Sequence, residues 1–460
     1  MSSVRESAEA AKSAFRSLAS LDHARRNKAL EAMAVGLRAA ASALFRANAK
    51  DMELALARTG EEALPDATLS RLKLTEGRLR EMTEQVRSVA ALPDPLGRTL
   101  DAIELDDANP DSAQATSASG ADEGLHLKKI SVPLGVLAVI FEARPDAVTQ
   151  IAALALKSGN AVILKPGKEV EHTAVALVGV LRQVLASEGL PEAAISMVLG
   201  RESVAELLAM HDILDMVIPR GSKALVEYVQ ANTRIPVLGH SEGICHIYVD
   251  RAANEEMALR VIEDAKLDYP AACNAVETVL VHREIAKEFV PRLMGRLRER
   301  DVVVHADART RELLPVSSQS SVLPAKEWHT EFGAPELAVG IVDSLEAAIA
   351  HIHAHGSAHT ESILTEDHEA AERFLREVDA AGVFHNASTR FADGFRYGFG
   401  AEVGISTSKL HARGPVGLEG LTTYKYVLRG HGHVAGDYRG AKARAFTHRR
   451  GQDRESRETR

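Results

Sequence analysis

An unbroken apolar run reads Leu134-Gly135-Val136-Leu137-Ala138-Val139-Ile140-Phe141. It has no polar side chain at either alternating position, which is typical of a strand buried on both faces of a parallel sheet. Residues 147–157 follow with helical spacing, and Ser158-Gly159-Asn160 suits the end of that helix. Residues 161–164 are apolar again, so the stretch predicts a strand–helix–strand unit.

The same alternation continues to about Val249 and predicts a doubly wound parallel sheet. Its further elements are a helix at 173–188 and strands at 197–200, 216–218 and 237–238. A second α/β segment follows, with a helix at 284–298 and strands at 278–282, 302–304, 337–342 and 362–365. We place the domain boundary near Lys266.

Three other regions flank these α/β segments. Ala-rich stretches at 4–59 and 75–89 predict amphipathic helices. Residues 99–105 and 125–130 alternate as strands on either side of the polar stretch 106–124, which predicts a long hairpin with an exposed, mobile loop. The Arg-rich end from about Gly436 predicts a disordered tail.

The composition excludes several classes of protein. Of 460 residues, 45% are hydrophobic and 26% are charged, as in an ordinary globular protein. The net charge of −9 argues against a dedicated nucleic-acid binder. Two cysteines cannot form a disulfide framework, the N-terminus lacks the apolar core of a signal sequence, and no apolar stretch is long enough for a membrane span. We therefore expect a cytoplasmic protein.

A candidate nucleophile lies in Asp268-Tyr269-Pro270-Ala271-Ala272-Cys273-Asn274-Ala275-Val276-Glu277. Small neighbours leave the thiol of Cys273 accessible, although a buried, inert cysteine is the alternative. Cys245 and His246 are adjacent in a predicted strand and point to opposite faces, so we interpret Cys245 as structural. His351 and His355 share a helix face, but no acidic or Cys ligand is evident nearby, and we predict a surface helix and no metal.

Three predicted strand-to-helix turns carry cations: Phe141-Glu142-Ala143-Arg144-Pro145, Lys165-Pro166-Gly167-Lys168-Glu169 and Pro219-Arg220-Gly221-Ser222-Lys223. Ligands of an open parallel sheet bind beyond such strand ends, and a helix N-terminus with Gly and Ser offers N–H groups to a phosphate. The G-x-G-x-x-G fingerprint is missing. The turns predict a phosphate-bearing cofactor; ordinary turns with solvated lysines are the alternative.

Four motifs then match one known family. Phe141-Glu142-Ala143-Arg144-Pro145, Tyr269-Pro270-Ala271-Ala272-Cys273-Asn274, Asn386-Ala387-Ser388-Thr389-Arg390-Phe391 and Lys409-Leu410-His411-Ala412-Arg413-Gly414-Pro415 resemble signatures of the γ-glutamyl phosphate reductases, or glutamate-5-semialdehyde dehydrogenases, of the aldehyde dehydrogenase superfamily. The resemblance runs from about residue 5 to residue 430. It implies an aldehyde dehydrogenase-like α/β fold.

The family's chemistry implies that Cys273 attacks the acyl carbon of L-glutamyl 5-phosphate, releases phosphate and forms a thioester that NADPH reduces. Backbone N–H groups near Cys273 would stabilise the oxyanion. The water-activating glutamate of hydrolytic relatives matches Gly239, and their oxyanion asparagine matches Ala143. Glu242 lies three residues beyond Gly239. These departures suit an enzyme whose acyl group leaves by reduction.

The resemblance also implies the binding residues. For NADP(H) these are Lys165, Gly167, Lys168, Gly221, Ser222 and Glu331, with Lys168 favouring the 2′-phosphate by charge. For the substrate we nominate Glu142, Arg144, Asn274, Asn386, Thr389, Arg390 and His411. Glu142 suits the α-amino group, and the arginines suit a carboxylate or phosphate.

The expected organisation has four parts. These are an NADP(H)-binding domain (1–98 and 132–266), a catalytic domain (267–408), an oligomerisation arm with the C-terminal segment (99–131 and 409–434) and a disordered tail (435–460). The arm implies a homodimer or homotetramer. Because no kinase segment precedes Val4, a separate glutamate kinase would supply the substrate. The alternatives are a hydrolytic NAD(P)-dependent aldehyde dehydrogenase and a non-enzymatic member of the superfamily.

Overall fold

A computed structural model of the chain describes residues 3–60, 63–106, 124–319, 322–441 and 443–450. The polar loop expected at 106–124 therefore lies almost wholly outside the described residues, as do 451–460 of the tail. Among the described residues, no helix is both long and apolar enough to cross a membrane.

The helices have these bounds: α1 Val4–Leu18, α2 His23–Ala39, α3 Ala41–Leu56, α4 Asp66–Leu72, α5 Glu76–Ala91, α6 Pro145–Lys157, α7 Glu171–Ser187, α8 Glu202–Ala209, α9 Lys223–Ala231, α10 Glu255–Leu267, α11 Arg283–Arg298, α12 Ala308–Glu312, α13 Val316–Gln319, α14 Leu345–His355 and α15 His368–Glu377.

The strands have these bounds: β1 Thr99–Asp106, β2 Leu125–Pro133, β3 Val136–Phe141, β4 Ala161–Pro166, β5 Ile195–Met197, β6 Met216–Arg220, β7 Cys245–Val249, β8 Val276–His282, β9 Val303–Ala306, β10 Leu323–Pro324, β11 Glu336–Val342, β12 Thr360–Leu364, β13 Gly382–His385, β14 Ile405–Ser406, β15 Gly414–Pro415, β16 Thr422–Arg429 and β17 Arg449–Arg450.

The first sheet confirms the predicted strand–helix–strand pattern. It is parallel, in the order β5-β4-β3-β6, and every residue of β3 is buried. Phe141 at the end of β3 is paired with Pro166 and Arg220, so three strands end side by side. The strand predicted at 197–200 lies earlier, at Ile195–Met197, because the chain then turns through Gly200 at φ +88°.

The second sheet is also parallel, in the order β10-β9-β11-β8-β7-β12-β13. Its first strand in the chain is β7, which starts at Cys245, so the change of sheet precedes the boundary expected near Lys266. The sequence could not show this, because strands and helices alternate in the same way on both sides of the crossing.

The predicted hairpin pairs β1 with β2 antiparallel and extends to β16, in the sheet order β16-β2-β1-β17. The strand β17 comes from the segment expected to be a disordered tail. Ile103 and Glu104 pair with Arg450 and Arg449, so part of that segment has an ordered partner. An Arg-rich composition suggests solvation, but it does not exclude backbone pairing with a free sheet edge.

A buried ion pair joins α10 to β8. The ammonium of Lys266 donates to Oε2 of Glu277 at 2.7 Å, and both side chains are 0% exposed. Burial raises the pKa of Glu277 and lowers the pKa of Lys266, while each partner opposes the shift of the other. The two residues bracket the segment that carries Cys273.

We expect Lys266→Met to lower the free energy of unfolding by about 3–5 kcal/mol, because it leaves a buried carboxylate unpaired. The double variant Lys266→Met/Glu277→Leu should regain most of this loss. Lys409→Met, in the exposed pair with Asp379, should cost at most about 1 kcal/mol. Urea denaturation measures all three, and equal losses for Lys266→Met and Lys409→Met would contradict a structural role for the buried pair.

Candidate active site

A cleft of ≈ 760 Å³ lies between the carboxyl edge of the first sheet and the amino edge of the second. The first edge contributes the residues that follow β3 and β6, and the second contributes those that precede β7 and β8. Eight of the predicted site residues line it: Glu142, Arg144, Gly221, Ser222, Cys273, Asn274, Glu331 and Arg390. The structure therefore brings together the expected nucleophile and much of both predicted binding sets.

Cys273 lies in a turn just before β8, closed by a hydrogen bond from Ala275 N–H to the carbonyl of Ala272 at 2.9 Å. It is partly exposed, whereas Cys245 is fully buried and burial raises the pKa of its thiol. The two cysteines thus differ as the sequence predicted, with Cys273 open to the cleft and Cys245 in the core. A thiol open to the cleft can attack a ligand bound there.

Gly243 packs directly against the Cys273 turn. A Cβ atom at Gly243 would lie 1.9 Å from the carbonyl oxygen of Cys273 and 2.5 Å from its Cα. Such distances are impossible, so only glycine fits here unless the turn moves. The segment before β7 therefore fixes the position of Cys273.

Asn274 and Arg390 are held by each other. The amide of Asn274 donates to the carbonyl of Ala392 at 2.9 Å and accepts from the Arg390 guanidinium. Arg390 also donates to Asp268 at 3.0 Å. Because these bonds engage both side chains, they shape the wall of the cleft beside Cys273.

The opposite wall carries two further guanidinium groups. The guanidinium group of Arg144 has no hydrogen-bond or ion-pair partner among the described residues. Arg220, which sequence reasoning placed in a cationic turn but did not nominate, donates to Oε1 of Gln150 at 3.3 Å. Burial, and next the neighbouring Arg144, lowers the pKa of Arg220. Two like charges held in one cleft favour an anionic ligand between them.

Glu402 partly offsets this charge. Its carboxylate accepts from Gly394 N–H at 2.8 Å, and burial raises its pKa to about 7, while Arg220 opposes the shift. No sequence motif pointed to Glu402, because only the fold brings it to Arg220.

Glu142 lies at the N-terminus of α9. Its Oε2 accepts from Ser222 N–H at 2.7 Å, and a Cβ at Gly221 would lie 2.3 Å from the same oxygen. The turn predicted to bind a phosphate thus holds a carboxylate here, which uses the same N–H donors and the same helix dipole.

The other predicted cofactor residues lie beside the cleft. Lys165 is the last residue but one of β4, and its ammonium lies 3.0 Å from the carbonyl oxygen of Pro166. Burial lowers its pKa, opposed by Glu169 and other carboxylates. Gly167 follows it, and Lys168 is exposed at the start of a short 3₁₀ turn. These positions lie at the carboxyl edge of the first sheet, where the end of β4 pairs with the end of β3.

Three nominated substrate residues do not line the cleft. The side-chain amide of Asn386 accepts a hydrogen bond from Thr365 N–H and donates one to the Thr365 carbonyl oxygen. Thr389 is fully buried. His411 lies against the carbonyl of Gly420 in a separate cleft of ≈ 460 Å³. We leave these three out of the proposed site.

Two histidines that the sequence analysis did not nominate lie at the nucleophile. His240 lines the cleft, and side-chain ligand atoms of His240, His359 and Cys273 all lie within 4.8 Å of one another. These residues precede β7, β12 and β8, which are neighbours in the second sheet. The order of the strands would have revealed these histidines, because residues that precede adjacent parallel strands meet at one edge of the sheet.

Gly239 and Ala143 stand where the resemblance implies that hydrolytic relatives carry a water-activating glutamate and an oxyanion asparagine. Gly239 and Ala143 both line the cleft. Glu242 is bound by Lys223 and by Nε2 of His329, and it is not among the cleft-lining residues. The carboxylate of Glu242 therefore does not take the place of the water-activating glutamate that hydrolytic relatives are expected to carry.

The histidine-rich helix α14 is less exposed than expected. His351 packs edge-on against His246 and Trp328, and burial lowers its pKa to about 3. The pattern of the sequence predicted a surface helix, but one face of α14 packs against the second sheet.

Comparison with known proteins agrees with this architecture. Residues 1–328 match the model of the aldehyde dehydrogenase family. A γ-glutamyl phosphate reductase from Cyanothece sp. is 51% identical over 444 residues, which is 96% of this chain and 97% of the relative. One from Natronomonas pharaonis is 48% identical over 440 residues, 96% of each chain.

A crystal structure of γ-glutamyl phosphate reductase from Thermotoga maritima matches with a TM-score of 0.86 and 37% identity, covering 94% of this chain and 100% of that one. An acetylating aldehyde dehydrogenase from Geobacillus thermoglucosidasius matches with a TM-score of 0.62 at 18% identity, covering 94% and 97%, which shows the fold alone. The chain belongs to the aldehyde dehydrogenase family and, within it, to the γ-glutamyl phosphate reductases.

We expect Gly243→Ala to lower activity on the order of 100-fold, because the added methyl group must displace the Cys273 turn. Steady-state kinetics measures the loss. Gly179→Ala is the matched control, since a Cβ there meets nothing within 4 Å in the middle of α7. Wild-type activity of Gly243→Ala would show that the turn does not need this contact.

Proposed function

We propose that the protein reduces L-glutamyl 5-phosphate to L-glutamate 5-semialdehyde with NADPH and releases phosphate, as in proline biosynthesis. The observation that carries this proposal is the shared cleft of Cys273, Gly239 and the guanidinium groups of Arg144, Arg220 and Arg390. A thiol among cations suits an acyl phosphate, and a glycine in place of a base leaves the thioester without an activated water. The 51% identity to a named γ-glutamyl phosphate reductase supports the substrate.

In the first half of the reaction, Cys273 is the nucleophile and forms the thioester. The N–H groups of Cys273 and Asn274 have no backbone partner in the described part of the chain, so they are available to an oxyanion. Arg144 suits the phosphate or carboxylate of the substrate, and Arg390 with Asn274 forms the wall beside it. Glu142 suits the α-amino group once its carboxylate leaves Ser222 N–H.

The residues present fit a nicotinamide cofactor with a 2′-phosphate. Gly221 and Ser222 offer close backbone approach at the start of α9, Glu331 lines the cleft, and Lys165, Gly167 and Lys168 lie at or just beyond the end of β4, beside the end of β3. An engineered glycolyl-CoA reductase of the same fold, 16% identical with a TM-score of 0.62, is described with bound NADP⁺. NADPH, when bound, supplies the hydride that reduces the thioester.

We also propose that the antiparallel sheet is the arm of a homodimer or homotetramer. Tyr424, Tyr426 and Leu428 alternate along its edge strand β16 and are 48%, 61% and 56% exposed. Apolar side chains repeated along an unpaired edge favour a second copy there. We place the enzyme in the cytoplasm, where a separate glutamate kinase would supply its labile substrate.

The reverse reaction tests the proposed function. Purified protein with glutamate semialdehyde, NADP⁺ and phosphate should form NADPH at a rate that depends on phosphate. Cys273→Ala should form none, because the thioester cannot form. Turnover that does not need phosphate would favour a hydrolytic aldehyde dehydrogenase, and absence of turnover in wild type would favour a non-enzymatic member.

Lys168→Glu tests the cofactor preference. Loss of a charge-assisted contact of about 1.5–3 kcal/mol should raise the KM for NADPH by about tenfold to a hundredfold and leave the KM for NADH nearly unchanged. Lys287→Glu, the same charge change on an exposed part of α11, is the control. An equal effect on both cofactors would rule out recognition of the 2′-phosphate by Lys168.

A further inference from the structure

The three side chains that meet at the amino edge of the second sheet have distinct surroundings. Nδ1 of His240 lies 2.8 Å from the carbonyl oxygen of Ile405. A carbonyl can only accept, so Nδ1 carries the proton, and in the neutral ring Nε2 keeps its lone pair. The ring is therefore held in one tautomer with a basic nitrogen left over.

His359 supports this arrangement from the core. It is fully buried, and its ring meets that of His240 edge-on, with centroids 4.9 Å apart. Its Nδ1 contacts Thr360 Oγ1 at 2.9 Å, while its buried Nε2 has no partner in the described structure. His359 does not line the cleft, whereas His240 does. Of the two rings, only that of His240 can reach both the thiol and a ligand in the cleft.

The acyl transfer requires a carrier for one proton. A thiol that attacks an acyl phosphate loses its proton, and the departing phosphate must gain one to leave as HPO₄²⁻. The water-activating glutamate of hydrolytic relatives is absent, and Glu242 is bound elsewhere. Other ionisable groups also face the cleft: Arg220, Glu402, Arg144, Glu142, Glu331, Arg390 and Asp393, with Cys245 in the core beneath it.

We propose that His240 is the catalytic residue that carries the thiol proton of Cys273 to the departing phosphate, with His359 as the positioning residue behind it. The proposal rests on the proposed function. In this step the S–H bond breaks as Nε2 takes the proton, and the S–C bond forms as the C–O bond to phosphate breaks. The imidazolium then gives the proton to a phosphate oxygen, so that no oxidant or reductant is needed.

Gly239, which precedes His240, makes the site favour transfer of the acyl group to phosphate over its hydrolysis. Attack by water on the thioester needs a base beside the acyl carbon, and Gly239 supplies none, whereas in the proposed step His240 exchanges its proton with the sulfur and the departing phosphate. A base in this place assists formation of the thioester and its reversal by phosphate, and it leaves hydrolysis unassisted.

The test separates the two halves of the reverse reaction. Without phosphate, wild type with glutamate semialdehyde and NADP⁺ should form about one NADPH per Cys273 in a burst and then stop, because the thioester accumulates. Phosphate should restart turnover. In His240→Asn the amide can still donate to the Ile405 carbonyl but has no basic nitrogen, so the burst amplitude should persist while phosphate-dependent turnover falls about 10²–10⁴-fold.

Alkylation of Cys273 by iodoacetamide at neutral pH is the second readout, and it needs neither substrate nor cofactor. It should slow in His240→Asn and His240→Gln, because the thiol has lost its proton acceptor. His211→Asn, which changes an exposed imidazole on the other domain, should match wild type in both measurements.

Two outcomes would overturn the proposal. Phosphate-dependent turnover of His240→Asn within a factor of three of wild type would exclude proton transfer by His240. Loss of the burst in both His240→Asn and His240→Gln would assign the residue to the structure of the site instead. Absence of a burst in wild type would be a failure of the proposed function, and it is seen before any variant is made.

Discussion

The ion pair between Lys266 and Glu277 is the constraint on which the active site depends. It closes the segment that runs from the end of α10 to the start of β8, and Cys273 lies inside that segment. The backbone of Phe332, next to Glu331, lies beside the same carboxylate. Both charges are fully buried, so the pair is stable only when both partners are in place. One interaction thus holds in register the segment of Cys273 and the loop of Glu331, both of which line the cleft.

The geometry around Cys273 follows from strand order. His240, Cys273 and His359 are far apart in the chain, but each precedes one of three adjacent parallel strands, β7, β8 and β12. The first sheet meets this edge with its carboxyl ends, which carry Arg144 and Arg220. The cleft therefore has Arg144 and Arg220 on one side and the thiol of Cys273 with the imidazole of His240 on the other. An acyl phosphate, with an anionic leaving group and an electrophilic carbon, has the matching polarity.

Much of this could be predicted from the sequence. Apolar runs such as β3 indicated parallel sheets, and the small residues around Cys273 indicated an accessible thiol. The motifs placed Glu142, Arg144 and Arg390 at the site. The sequence could not place Glu402 or His359, because their roles come from contacts across the fold. The sequence also did not reveal that the chain changes sheet before Cys245, since strands and helices alternate on both sides, and it gave no sign that residues 449–450 pair with β1.

The contact between Glu142 and Ser222 has a thermodynamic consequence. The N–H groups at the start of α9 already hold a carboxylate, so an anion that binds there exchanges with a resident charge and does not fill an empty position. Its measured affinity is then a difference between two similar interactions, smaller than either alone. The displaced carboxylate gains freedom at the same moment. A second group that then pairs with Glu142 binds more tightly when the anion is present, and the anion binds more tightly when that group is present. Binding of the two is therefore coupled even though the ligands never touch.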